Sequence, residues 1–226
     1  MHDSRFTTVV IAKGVAKLRE FAELRQAERV LTGVAPFDRL NGGLIRGGIC
    51  ELTGAEGSGK RGLVFSMIAN LTRSNNICAV VDASDSFDPP SAEKSGVKLD
   101  KILWVKCGGD PKKAVLSTDY LIQSGLFGAI WLDLSLAEKD FLDRMPSSYW
   151  FRFKVGLKDT PAVLLVTLEE TRLRSASHQS VRVEKEASEW TGESGFKVMR
   201  GSSVKLEMRK PISMTNEQMS LTNEEG

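Results

Sequence analysis

Cysteine is scarce in this chain: Cys50, Cys78 and Cys107 are the only three, odd in number and far apart. That pattern excludes a disulfide framework and offers no zinc-ligand spacing, so free buried thiols in a cytoplasmic protein are the plain reading. Long apolar runs are missing too. None approaches the ~18 residues of a membrane-spanning helix, mean hydropathy is -0.17, and no membrane association is expected. Met1-His2-Asp3-Ser4-Arg5 leads only into Val9-Val10-Ile11-Ala12, too short an apolar stretch for a secretory signal. Nor is there an excess of charge: 31 Lys and Arg against 29 Asp and Glu leave +2, far from the balance of a dedicated nucleic-acid binder. The distribution is uneven, however. Nine Lys and Arg face five Asp and Glu between Arg172 and Lys210, and the last 16 residues hold three Glu and no cation. Contact with a polyanion and a solvated sheet face both fit that pattern.

With 41% hydrophobic and 27% charged residues, 226 positions suffice for one compact domain with appendages. Residues 1–30 read as an N-terminal helical element. Lys13 to Val30 is rich in helix formers, but Val15, Leu18, Phe21, Leu24, Ala27 and Val30 recur every third position. Such a stripe drifts around a helix of 3.6 residues per turn. It suits packing on another subunit, and so an oligomer, or an edge position on its own domain. Residues 31–210 read as the core. Strand-like stretches at 49–53, 77–82, 102–106, 129–132 and 162–168 alternate with amphipathic helical stretches at 63–73 and 112–124. Strands apolar on both faces, alternating with helices, predict an α/β fold with a mostly parallel sheet flanked by helices. Short alternating stretches at 180–183, 196–199 and 203–208 predict an antiparallel C-terminal extension. Residues 211–226 are polar and unpatterned, the composition of a disordered tail.

The informative stretch is Thr53-Gly54-Ala55-Glu56-Gly57-Ser58-Gly59-Lys60-Arg61. It has the G-x-x-x-x-G-K spacing between a strand and a helix that makes a phosphate-binding loop. Glycines let successive backbone N–H groups point into one concavity, the helix presents its positive end, and Lys60 brings a mobile point charge. Gly54, Glu56, Gly57, Ser58, Gly59, Lys60 and Arg61 are therefore the candidate anion-binding residues. The position after the lysine normally holds Ser or Thr, whose hydroxyl ligates Mg²⁺. Arg61 has donors but no lone pair for a metal. It can reach a phosphate oxygen instead, a charge-assisted bond of about 1.5–3 kcal/mol.

The stretch Leu31-Thr32-Gly33-Val34-Ala35-Pro36-Phe37-Asp38-Arg39-Leu40, then Gly42-Gly43-Leu44-Ile45-Arg46-Gly47-Gly48, runs straight into this loop. It resembles the lead-in of RecA-family recombinases. Cys78 to Ala83, Asp88-Pro89, Gly96-Val97 and Asp100 follow in the same order and spacing, and the resemblance spans about residues 30–170 and more loosely to 210. Length and layout are most similar to the ImuA group, RecA-like accessory proteins of damage-induced mutagenesis cassettes. The resemblance implies a RecA-like P-loop NTPase core that binds ATP, with Mg²⁺ put in doubt by Arg61. It places Asp133 at the Walker B aspartate, the metal residue, although an aspartate capping a turn at a strand end is the ordinary alternative. The family's water-positioning glutamate falls at Ser84, which has no basicity near neutral pH, and losing a general base costs on the order of 10²–10⁴ in rate. Asp85 and Glu170 remain as candidate catalytic residues, Glu170 standing where the family has a γ-phosphate-sensing glutamine. The glycine-rich loop after that glutamine is shortened to about 174–180. Tyr149-Trp150-Phe151-Arg152-Phe153-Lys154 falls near the first DNA-binding loop, and such residues suit base stacking or packing equally. Arg209 and Lys210 lie where the family reaches a neighbouring subunit's phosphate. The implied role is a nucleotide-binding accessory protein of DNA repair and SOS-type mutagenesis, binding ATP weakly and hydrolysing it slowly or not at all. RecA, a translesion polymerase or single-stranded DNA would be its partners. The alternative is an active DNA-dependent ATPase of recombinase type.

Overall fold

The computed structural model describes residues 28–191, 198–210 and 216–222. The Lys13–Val30 helix expected from sequence lies outside these residues except at its end. There, Arg29–Val30 forms a short strand, β1, paired antiparallel with β2 at Leu44–Ile45. Between them Ala35–Asn41 is helix α1. The main sheet then begins with β3 (Ile49–Thr53), followed by α2 (Lys60–Arg73), β4 (Cys78–Asp82), α3 (Pro89–Lys94), β5 (Ile102–Lys106), α4 (Pro111–Ser124) and β6 (Ala129–Asp133). Helices α5 (Lys139–Arg144) and α6 (Ser147–Leu157) lead to β7 (Val163–Leu168), and the chain ends in β8 (Gln179–Thr191), β9 (Val198–Lys210) and β10 (Asn216–Thr222).

The eight strands are ordered β10-β9-β8-β3-β7-β6-β4-β5. β8 through β5 are parallel, while β9 and β10 add antiparallel at one edge. The extension is a long hairpin rather than several short strands. Residues 216–222, expected to be part of an unpatterned tail, pair with β9. β9 leaves a row of backbone donors and acceptors open there, and a ladder can satisfy them without an apolar pattern in the added strand.

The continuous apolar runs work because a strand sends alternate side chains to opposite faces. On β6, Ala129 and Trp131 join one core with Leu63, Val64, Met67, Ile68 and Leu71 of α2. Ile130 and Leu132 join the other with Ala114 and Val115 of α4 and Trp150, Phe153 and Leu157 of α6. Asp110 caps α4 by accepting from the N–H groups of Lys112 and Lys113, with Pro111 at the first helical position and left-handed Gly125 ending the helix. All three cysteines are free and buried. Burial pushes the Cys78 thiol up to about 12 and Cys107 to about 11, so neither is a nucleophile at neutral pH.

His178, just before β8, is tied to β3. It donates its backbone N–H to the Ile49 carbonyl at 2.9 Å, and its Nδ1 accepts from the Ile49 N–H at 3.0 Å. Burial, then the charges of Lys154 and Lys210, lower its pKa from 6.5 to about 4. The unfolded chain therefore takes up this proton first, and stability is lost as pH falls from about 6.5 toward about 4. Above that window the group contributes no slope. His178→Asn should flatten the pH dependence of the urea midpoint within the window and leave it unchanged above.

Candidate functional site

The pairing register brings the ends of the parallel strands into one row. Asp82 stands beside Asp133, Asp133 beside Thr167, and Thr53 beside Leu168. In an open α/β sheet that edge is where ligands bind. The loop from Gly54 to Gly59 crosses it between β3 and α2. The Gly54 N–H donates to the carbonyls of Leu168 and Glu169, and the Ser58 N–H to Ala55. Gly57 and Gly59 take φ of 73° and 91°, left-handed values that strain most side chains. Gly59 serves as the N-cap of α2, with no side-chain cap over the helix's first N–H groups.

Six of the seven loop residues picked out by sequence (Glu56, Gly57, Ser58, Gly59, Lys60 and Arg61) line one cavity of about 300 Å³. Asp133 lines it too, as do Trp131, Thr167 and Lys185, while Gly54 anchors the loop from behind. Lys60 Nζ donates to the Gly54 carbonyl at 2.7 Å and the Ala55 carbonyl at 3.1 Å. An ammonium has three donors, so one remains for a ligand. Burial lowers the Lys60 pKa and the nearby Asp133 charge opposes that shift. The Ser58 hydroxyl is buried with no hydrogen-bond partner, an unmet donor that a phosphate oxygen would satisfy. This is a site that fits a phosphate.

It does not fit a divalent cation. Asp133 Oδ1 accepts from Thr167 Oγ1 at 2.7 Å and from the Ser135 N–H at 3.0 Å. Oδ2 faces Arg61 Nη2 and Ser86 Oγ, both at 3.4 Å, and Arg61 also donates to Ser86 Oγ at 2.8 Å. The expected reach of Arg61 to a phosphate is thus shared with an ion pair to Asp133. A guanidinium repels a metal from the carboxylate that would hold it.

The two candidate catalytic carboxylates do not line the cavity. Asp85, at φ 53°, accepts from the Gly108 N–H at 3.2 Å and is exposed. The backbone turn that points it away turns the Ser86 side chain toward Asp133 instead. Glu170 is exposed and pairs with Arg172 at 3.6 Å. Residues 147–157 form helix α6 rather than a DNA-binding loop: Trp150 and Phe153 are core, and Arg152 pairs with Asp119 at 2.6 Å. The loop after β7 is short and holds a single 3-10 turn at Arg174–Ala176. Lys210 is turned inward, donating to the carbonyls of Arg174 and Ser177, and Arg209 pairs with Glu207 at 3.6 Å. Lys185, Ser86 and Thr167 are site residues that sequence reading missed. Each is a common residue on a strand or turn with no motif around it, so only the sheet register reveals it.

The RecA N-terminal domain family matches residues 13–139. RecA of Methylobacterium radiotolerans is 34% identical over 121 residues, 53% of this chain and 33% of its own length. RecA of Methylococcus capsulatus is 35% identical over 121 residues, 53% of this chain and 35% of its own length. The chain thus spans about a third of the length of these curated relatives. The crystal structure of the RadB recombinase superposes with a TM-score of 0.64 at 15% identity, covering 85% of this chain and 96% of that one. That likeness shows the same fold. With the family match covering more than half of its residues, the chain belongs to the RecA N-terminal domain family.

Proposed function

We propose that this protein is a RecA-like accessory factor of DNA repair and SOS-type mutagenesis, which binds ATP weakly through the loop around Lys60 and hydrolyses it slowly or not at all. The observation that carries this reading is Arg61 on Asp133, a fixed cation at the carboxylate the family uses for magnesium. Ser84 at the water-positioning place, and Asp85 and Glu170 outside the cavity, support the same conclusion. The factor acts through contacts with RecA, a translesion polymerase or single-stranded DNA, in the manner of the ImuA group it resembles in layout. The phosphate cradle supports nucleotide binding because Lys60, Arg61 and Lys185 all border it.

Calorimetric titration of ATP in magnesium and in EDTA tests this. The wild type should bind with affinities within about threefold of each other. Arg61→Thr supplies a hydroxyl and releases Asp133, so its affinity should become at least about tenfold tighter in magnesium than in EDTA. Brisk hydrolysis by the wild type, stimulated by magnesium and single-stranded DNA, would instead establish a working recombinase-type ATPase. No nucleotide binding by either protein would leave the loop a structural element.

A further inference from the structure

A second cavity lies away from the phosphate loop. It is a groove of about 720 Å³ between α4, α5 and α6, on the sheet face opposite α2. Its floor is apolar: Val115 and Leu116 of α4, Phe141 of α5, and Met145, with Tyr149 of α6 at one side. Leu116 is 50% exposed and Tyr149 38%, so the floor is open to solvent. Three cations border it, Lys112, Arg144 and Arg152, and no carboxylate is among its lining residues. Arg152 is already neutralised by Asp119 at 2.6 Å and lies over the Tyr149 ring at 5.5 Å. Arg144 uses its Nε–H on the Asp140 carbonyl and makes no ion pair among the described residues. Lys112 likewise makes none. The groove therefore presents an apolar floor with two cations at its rim that make no ion pair among the described residues.

We infer that this groove docks an acidic amphipathic helix of a partner protein, with apolar side chains on the floor and carboxylates meeting Lys112 and Arg144. The walls are helices and no strand edge opens into the groove, so an inserted helix rather than an added strand matches its shape. The floor offers branched or aromatic anchors a pocket; of its two rings Phe141 is half-buried and Tyr149 already carries Arg152 at 5.5 Å, so successive bases find little to stack on, which favours peptide over nucleic acid. The chain's own 13–30 stretch is a poor occupant, since it carries five Lys and Arg against three Glu. Rim charges of this kind set partner choice and association rate more than total affinity.

The test uses the full chain and a fluorescein-labelled panel of synthetic helical peptides of about four turns. Each has Leu or Phe anchors at positions i, i+3/i+4 and i+7 and Glu on the flanks, and each is matched by a Lys-flanked counterpart. Anisotropy titration should show binding by acidic members only, weakened by salt. The exposed double variant Lys112→Glu/Arg144→Glu should lose about tenfold or more in affinity, and Leu116→Asp about as much, with ATP affinity and thermal midpoint unchanged. Equal binding of acidic and basic peptides, indifference to both variants, or no binding by any acidic member overturns the proposal. So does oligo(dT) binding that the double variant abolishes when peptide does not bind, which assigns the face to nucleic acid. Self-association abolished by Leu116→Asp assigns it to a second copy of the chain and overturns the proposal equally. Peptide binding and nucleotide binding are read separately, so either can fail alone.

Discussion

Lys60→Ala should weaken ATP binding by roughly ten- to a hundredfold, the equivalent of a charge-assisted hydrogen bond of about 1.5–3 kcal/mol. The effect is large because Lys60 has one donor beyond those it gives to Gly54 and Ala55. Its charge is also partly desolvated, which strengthens it toward an anion. The Ala55 carbonyl keeps the Ser58 N–H as a donor, so the fold should tolerate the change. Titration in EDTA isolates the term from any metal. The predicted signature is a lost affinity with an unaltered urea midpoint. If the two fall together, Lys60 is a structural cation whose contact with phosphate is incidental.

Glu51→Ala should have the largest effect on stability. Glu51 is fully buried in the middle of β3. Its Oε1 accepts the N–H groups of Arg172 at 2.7 Å and Leu173 at 2.9 Å, and its Oε2 accepts the Ser180 hydroxyl at 2.8 Å. Removing the carboxylate strands two backbone donors and a hydroxyl, each costing ~1–3 kcal/mol when buried and unmet. A loss of about 3 kcal/mol or more is expected from urea unfolding at an unchanged m-value. Glu51→Gln keeps one acceptor oxygen and should lose clearly less. Equal losses for both variants would mean that packing, not hydrogen bonding, sets the cost. The loop that Glu51 holds follows the strand end at Thr167 and Leu168, so the same carboxylate braces one wall of the cavity beside Lys60.

Most of the parallel sheet was legible because β3, β4, β6 and β7 are buried on both faces and stand out as mainly apolar stretches. Ile49–Thr53 and Ile102–Lys106 are strands over the residues the sequence indicates, and the phosphate loop was legible because its chemistry demands glycine and lysine at set spacing. The C-terminal hairpin was harder. Its strands run far past their apolar residues, held by ladder bonds that any residue can make. Tyr149 to Lys154 stayed undecided between base stacking and packing because aromatics among cations fit both; the helix resolves it by burying Trp150 and Phe153 three positions apart. Lys185 and Ser86 were invisible because their roles depend on which strands become neighbours.

A metal ion is a borrowed countercharge, and a protein that relies on one responds to the product of two concentrations. Arg61 is covalently part of the chain and cannot diffuse away from Asp133. On the proposed reading, occupancy would therefore follow the nucleotide pool alone and stay constant when free magnesium in the cell swings.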